Sequence, residues 1–375
     1  MSSYKVVIVG GGLAGLTAAL HLSKYGIESL LIEKEKYPRH KVCGEYVSNE
    51  VLPYLSSLGV DPFLFGAKKM EHFELSAVTG DSCKAVLPLG GFSVSRYTLD
   101  AKMYELLKEQ EIAIIHDTVT DINFNGENFQ IELKDNPSVG AEFVLGAYGK
   151  RSSLDSKLKR SFIRSHAPYL AVKAHYRGEY PDNVVGLHNF YGGYCGVSKI
   201  ENEALNICYI VSYKEFKKYR NIEEFQEKVL FKNISLKSIL QNSQMLFDKP
   251  LAISQISFES KSLIKDHVIM CGDSAGMIHP LCGNGMSMAI LSARMIANLL
   301  LEYFNMPSMT RNDLEKKYRI QWKKAFSSRL RTGRFLSRLF EYKRLSLLLI
   351  NYLKSYPAVI EQIIKRTHGK PVESI

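Results

Sequence analysis

Hydrophobic positions along this chain follow three periods, and each predicts a kind of element. Tyr4 to Val9 is a β-branched run that reads as a buried parallel strand. Gly10-Gly11-Gly12-Leu13-Ala14-Gly15 comes next, then a helical pattern to about Tyr25 with Gly26 as its C-terminal cap. A second strand, Ser29 to Ile32, ends at Glu33, and Tyr46 to Leu58 reads as helix. Residues 69 to 95 alternate apolar and polar around turn signals (Thr79-Gly80-Asp81, Gly90-Gly91), which predicts strands of a separate antiparallel sheet. Ser95 opens a helix from Arg96 to Glu109, and Ile112 to Ile131 returns to short strands. From about 160 to 258 the chain is strand-rich around a polar helix at Tyr213 to Asn233. Val268 to Cys271 is again a buried strand; after Gly272-Asp273 and a loop with Pro280, Gly283-Asn284-Gly285 opens a long apolar helix.

With 375 residues, 46% hydrophobic and 23% charged, these elements belong to a globular chain with a large core. Nothing at the N-terminus resembles a secretory signal, and no apolar run approaches the roughly 18 residues that span a bilayer. Six cysteines without a CxxC pair point away from a zinc site or a disulfide framework, so no metal is expected and the chain reads as cytoplasmic with reduced thiols. The net charge of +11 has one origin, residues 305–375, which hold 16 Lys/Arg against 5 Asp/Glu. No stacking platform or recognition motif accompanies them, so nucleic acid is not an expected partner. Trp322 to Leu353 instead sets Phe326, Leu330, Phe335, Leu336, Leu339 and Phe340 among Lys323, Lys324, Arg329, Arg331, Arg334 and Arg338, and Leu345 to Ile350 extend the apolar surface. On a helix this makes an apolar stripe flanked by cations, suited either to packing on the core or to peripheral attachment at the anionic inner face of a membrane.

Two stretches carry chemistry. Strand, GxGxxG, helix, strand and acid is the order of a dinucleotide fold: Gly10 makes the tight turn, Gly12 lets backbone approach a pyrophosphate, and Gly15 lets helix pack on sheet. Glu33 lies 18 residues after Gly15, where an acid holds a ribose hydroxyl, and its charge disfavours a 2′-phosphate. Far along the chain, Gly272-Asp273 places a carboxylate at a sheet edge, where it accepts hydrogen bonds from a polyol. The helix beginning near Gly285 offers free N–H groups and a positive dipole end. A polyol contact is needed by a ribityl chain and not by NAD, so FAD is the expected cofactor.

Together these motifs resemble the p-hydroxybenzoate hydroxylase-like superfamily of FAD-dependent oxidoreductases, over most of residues 1 to 305, and within it the geranylgeranyl reductase and monooxygenase branch. The resemblance implies an α/β fold: a Rossmann-like FAD-binding domain with a parallel sheet (1–68, 96–160 and 259–304), an antiparallel-sheet substrate domain (69–95 and 161–258) and a helical C-terminal extension (305–375). It implies cofactor contacts at Gly10, Gly12, Leu13, Ala14, Gly15, Glu33, Lys34, Arg39, Lys41, Arg96, Val119, Gly272, Asp273, Pro280, Gly283, Asn284, Gly285 and Met286. Arg96 matches the arginine placed near the flavin, and the backbone of Val119 the position that meets adenine.

Cys43-Gly44-Glu45 is similar to the segment beside the flavin in geranylgeranyl reductases. Cys43, ahead of a helix and near bases, and Glu45 are proton-relay candidates, each set against a bland alternative of buried thiol and solvated acid. His279, in a turn, is a third. The stretch Phe143 to Asp155 keeps Gly146, Ala147, Gly149 and Ser152 of the superfamily's Gly-Ala-Asp-Gly-x-x-Ser motif but has Tyr148 for its aspartate, which puts the familiar use of NAD(P)H as donor in question and leaves ferredoxin or another donor open. Phe190, Tyr191 and Tyr194 are expected to line an apolar pocket or to be plain core. The tryptophan-rich motif of flavin halogenases is absent, since Trp322 is the only tryptophan. The implied activity is hydride transfer from reduced FAD to an alkene of an apolar small molecule, with a monooxygenase or a non-catalytic FAD-binding module as alternatives.

Overall fold

The computed structural model describes residues 2–164, 167–341, 349, 350 and 352–375. Its first half runs β1 (Ser3–Val9), α1 (Leu13–Lys24), β2 (Ser29–Ile32), β3 (Tyr46–Ser48), α2 (Leu52–Ser57), β4 (Lys68–Ser76), β5 (Ser82–Ser93), α3 (Arg96–Glu109), β6 (Ala113–Ile115), β7 (Val119–Phe124), β8 (Phe129–Leu133), β9 (Val139–Gly146) and α4 (Ser153–Lys157). Its second half runs β10 (Tyr169–Arg177), β11 (Val184–Phe190), β12 (Gly193–Lys199), β13 (Ala204–Ser212), α5 (Tyr213–Phe216), α6 (Ile222–Lys228), α7 (Ile234–Gln241), β14 (Gln244–Met245), β15 (Leu251–Ile256), β16 (Ile264–Lys265), β17 (Val268–Met270), α8 (Gly285–Asn305), α9 (Arg311–Glu341) and α10 (Pro357–Thr367).

One sheet has the order β16-β17-β9-β1-β2-β6, with β8 on β9 and β7 on β8. Its centre is parallel and apolar on both faces, as the β-branched runs require. Register places Val9 beside Ile32 and Gly146, and Gly146 beside Met270, so the carboxyl ends of four strands share one edge. Gly10, Glu33, Ala147 and the Gly272-Asp273 turn all leave from that edge, where open α/β sheets bind ligands. The second sheet runs β14-β10-β13-β12-β11-β4-β5-β3, with β15 on β10.

Three elements differ from expectation. Tyr46–Ser48 is a strand paired antiparallel to β5, not the start of a helix, and helix begins only at Leu52. The polar helix at 213–233 is interrupted, because the Asn221 and Asn233 side chains accept backbone N–H bonds and restart the chain as α6 and α7. And α8 has the length and apolarity of a membrane span, contrary to the reading of the chain's apolar runs, although its face of Met, Ile, Leu and Ala is buried against α1 and α9.

The amphipathic stripe of the C-terminal segment packs on the core. Leu314, Tyr318, Trp322 and Phe326 of α9 are buried, and Leu336 nearly so, while Lys323, Lys324, Arg331 and Arg338 face water. Phe335 departs from the stripe and is 63% exposed. The side chain of Phe340 and the run Leu345 to Leu348 lie outside the described residues.

Candidate functional site

The edge shared by β1, β2, β9 and β17 opens into a continuous cavity of about 1360 Å³. Single small-molecule pockets occupy roughly 300–1,000 Å³, so this one has room for a dinucleotide and a second molecule.

Its first part is a cradle. Gly10 has φ +107°, and a Cβ there would lie 2.6 Å from the Ala147 carbonyl oxygen; a Cβ on Gly15 would overlap the Gly10 carbonyl. Gly12 begins α1 with no side-chain cap, so the first N–H groups of that helix, at Leu13 and Ala14, are left for a ligand. Two cations converge on the same spot: Lys41 Nζ and Arg96 Nη2 lie 3.6 and 3.8 Å from the position a Gly12 Cβ would take. Arg96 is fixed by a fork of two 2.7 Å bonds to the buried Asp100, and Lys41 lies 3.5 Å from the same carboxylate. Burial opposes the charge of Asp100, but Arg96 and Lys41 hold its acid below the usual range. Burial and the Arg96 charge push Lys41 down to about 8. A cluster this rich in cations, at a helix N-terminus with no anion of its own to spare, fits a diphosphate.

Glu33 accepts the Gly11 N–H (2.7 Å) and the Glu35 N–H (3.0 Å) and pairs with Arg39 at 2.8 Å. Burial raises its pKa, but the Arg39 bond and charge win and keep it ionised, ready for ribose hydroxyls. Lys34 and Val119 line the cavity beside it. At the other end Gly272 takes φ +62° and donates its N–H to Ser292 Oγ at 2.7 Å, which aims the next residue inward. The Asp273 carboxylate makes no hydrogen bond to protein among the described residues, and burial raises its pKa against the pull of Lys261 and Arg96. An under-satisfied carboxylate on a cavity wall fits a polyol chain. Pro280, Gly283, Gly285 and Met286 complete this wall, and α8 begins there with no side-chain cap. The cradle therefore fits FAD along its length.

Two expected contacts lie elsewhere. Gly15 serves packing and does not line the cavity, and Asn284 turns its side chain away into a buried cluster with Glu50 and Arg329. His279 is also off the cavity: it accepts the Leu281 N–H at 3.4 Å amid the rings of Phe258, Tyr169 and Tyr194, and burial lowers it to about 3.

Cys43 and Glu45 line the cavity. Cys43 Sγ lies 3.5 Å from Met286 Sδ, beside the start of α8, and receives the Glu45 N–H at 3.5 Å. The chain leads from Cys43 into strand β3 rather than a helix, so no dipole lowers its pKa; burial raises it, outweighing Arg96, and the group is a thiol. Glu45 is buried and ionised: burial opposes its charge, but Lys173 (2.5 Å) and His175 (2.8 Å) override it. It also receives the Arg96 N–H at 2.7 Å, so the first turn of α3 hangs from it. Sequence reading missed Lys173, His175 and Asp100. The signals were there: Lys173 and His175 alternate onto one face of β10, and Asp100 is one helical turn after Arg96.

Tyr148, in place of the expected acid, donates its hydroxyl to Met270 Sδ at 3.2 Å and lines the cavity beside Lys150 and Arg151.

Beyond Cys43 the cavity becomes apolar. The sheet supplies Phe73, Leu75, Leu87, Leu187, Tyr194 and Ile210, and the C-terminal segment roofs it with Leu336, Leu353, Ile360, Ile363 and Ile364. Of the three aromatics expected there only Tyr194 is in place. Phe190 packs on Phe225 and Tyr209 across the sheet, and Tyr191 is 48% exposed.

Comparison with known proteins agrees with this geometry. The chain is 25% identical over 325 residues to menaquinone reductase of Mycobacterium tuberculosis, covering 80% of this chain and 76% of that protein. It is 24% identical over 319 residues to digeranylgeranylglycerophospholipid reductase of Thermoplasma volcanium, covering 80% and 79%. Among solved structures, a flavin-dependent brominase superposes with TM-score 0.80 at 17% identity over 98% of this chain and 93% of the other. A geranylgeranyl bacteriochlorophyll reductase-like protein of Thermoplasma acidophilum superposes with TM-score 0.78 at 18% identity over 98% and 97%. The family described as FAD binding domain matches residues 3–308. The chain belongs to that FAD binding domain family and is an FAD-dependent oxidoreductase.

Proposed function

We propose that this oxidoreductase is a reductase that saturates an alkene in an extended, isoprenoid-type apolar molecule. The observation that carries the reading is the roofed apolar chamber meeting the FAD cradle at Cys43. The relative named for digeranylgeranylglycerophospholipid reduction carries an isoprenoid group in its name, which supports it, and another is named for reduction of menaquinone.

Bound reduced FAD supplies a hydride in such chemistry. This chain's residues supply the rest. Lys41, Arg96 and the first N–H groups of α1 would hold the pyrophosphate, Glu33 the ribose and Asp273 the ribityl chain. The apolar walls exclude water and align the alkene. The Cys43 thiol, which burial keeps protonated, would give its proton to the alkene carbon that does not take the hydride, and its thiolate would recover a proton from solvent. Glu45, ionised and fully bonded, positions Cys43 and Arg96 and is no donor. Tyr148 supports an electron donor that does not depend on the family's usual acid. On the outside of the roof, Phe335 stands exposed between Arg331 and Arg338, a surface for an anionic membrane from which an apolar substrate would enter.

The test is a series of polyprenyl substrates of increasing length mixed anaerobically with reduced holoenzyme. Flavin reoxidation that quickens as the chain fills the chamber, and slows at least tenfold in Cys43→Ala, supports the reading. Equal rates for every length and for Cys43→Ala overturn it.

A further inference from the structure

The loop from Met270 to Gly285 makes one whole side of the cradle, yet it contains little regular structure: two short 3₁₀ turns, at Gly272–Ser274 and Pro280–Cys282. Such a loop needs support from outside, and α9 lies along it. Tyr318 donates its hydroxyl to the Met270 carbonyl at 2.7 Å. One turn on, Trp322 covers Gly276 so closely that a Cβ there would lie 2.9 Å from the indole. Further on, Gly333 sits where a Cβ would be 3.1 Å from Cys282 Sγ. Tyr318, Trp322, Phe326, Arg329, Gly333 and Leu336 recur every three or four residues, so a single helix face makes every contact. That face ends on Leu336, in the chamber wall.

Arg329 is the one charge on the stripe. Its Nη1 donates to Glu50 Oε1 and to Asn284 Oδ1, both at 3.1 Å, and Asn284 Nδ2 donates to Glu50 Oε1 at 2.6 Å. Glu50 and Asn284 are wholly buried. The chain's end closes over them: Val372 donates its N–H to the Glu50 carbonyl at 2.8 Å, and a Cβ on Gly369 would overlap both Arg329 and Glu50. Asn284 is the residue from which α8 starts, and its neighbours Gly283, Gly285 and Met286 line the cavity. Arg329, the rest of α9 and the chain's end lie beyond residue 308, where the match to the family ends.

We infer that α9 is a brace that holds the FAD loop in its binding shape, with Arg329 as a positioning residue that fixes the start of α8 through Glu50 and Asn284. Leu336 of the chamber roof and the dipole end of α8 are thereby carried on one helix. A buried ion pair of this kind does little for net stability but sets one geometry, which is the part the loop lacks.

The test uses full-length Arg329→Met and Arg329→Lys. FAD affinity of the apoprotein, the flavin midpoint potential and amide hydrogen exchange at residues 276–286 are measured beside melting temperature. Arg329→Met should weaken FAD about tenfold, which is about 1.4 kcal/mol. It should also shift the midpoint potential negative, because a loosened helix end stabilises reduced flavin less, and raise exchange in the loop but not in β1. Arg329→Lys should recover part of each effect, having the charge without the rigid planar guanidinium. If Arg329→Met does not fold, Glu50→Gln, which keeps the shape and loses the charge, should show the same negative shift and faster loop exchange. FAD affinity within twofold of wild type with unchanged potential and exchange in Arg329→Met, or in Glu50→Gln where that variant stands in, overturns the inference. None of these readouts depends on the substrate, so failure here leaves the reductase reading untouched.

Discussion

FAD affinity should fall as pH rises through 8, and Lys41 is the reason. In the protein without cofactor its ammonium faces Arg96, Arg39, Asp100 and Glu33 in a largely buried site, and burial and Arg96 lower it to about 8 from 10.5. A diphosphate beside it removes the disfavour by supplying the missing negative charge. The bound form therefore holds a proton that the free form has lost above pH 8, and binding takes one up. The 2.5 units between the two values correspond to about 3 kcal/mol at full effect. The Lys41 side chain is 29% exposed at the cavity mouth, so water screens part of this. Between pH 7.5 and 9.5 the dissociation constant should rise roughly tenfold instead of the full 24-fold or so that pKa 8 gives. The assay is calorimetric titration of apoprotein with FAD at both pH values in two buffers of different ionisation enthalpy, which counts protons directly. Lys261 is also lowered to about 8 by burial, but its ammonium is held by the Lys150 and Asp273 carbonyls at 2.7 Å in the protein itself, so Lys41→Met is the control that should flatten the dependence. A wild-type dissociation constant that does not change over this range, or proton release on binding, would refute the reasoning.

Asp273→Ala removes a charge-assisted hydrogen bond and should weaken FAD by about 1.5–3 kcal/mol, read as flavin lost on gel filtration; retention equal to wild type would count against the ribityl contact. Glu45→Gln leaves the fully buried Lys173 ammonium without its counter-charge and should cost about 3–5 kcal/mol in denaturant unfolding. Because the folded-state pKa of Glu45 is lowered, its stabilisation is present above about pH 4.5 and is lost as pH falls through the folded value, so the variant should also lose part of the acid limb; coincident curves would contradict the pairing. Arg331→Gln/Arg338→Gln should weaken binding to anionic vesicles by about 2 kcal/mol at low salt and leave neutral vesicles unaffected, and absence of wild-type binding to either would remove the membrane proposal.

How much of the fold is legible in the residues depends on which signals are local. Continuous apolar runs at β1, β2 and β17 admit one burial, and glycines at 10, 15 and 272 mark positions no side chain fits, so the cradle can be read from its residues. Tyr46–Ser48 has helical spacing, which loses to pairing with β5, where Tyr46 covers the bare Gly91. Phe190 lies away from the chamber because the nine-stranded sheet is apolar on both faces: Val172 and Phe190 face the side covered by α6, while Ala171 and Tyr194 face the chamber. An alternating pattern fixes which residues share a face but not which face holds the ligand. Asn284 shows the same limit, since the motif locates the turn correctly and cannot tell which way its side chain points. The thiol of Cys43 depends on burial by distant elements, which no local pattern records.

Alkene reduction is tested most directly by one anaerobic turnover of fully reduced holoenzyme with a polyprenyl substrate, with mass analysis of the extracted lipid. One saturated double bond, a gain of two hydrogens, is expected for each flavin reoxidised with oxygen excluded. Flavin that stays reduced until air is admitted, with a product that then carries an added oxygen, would contradict it.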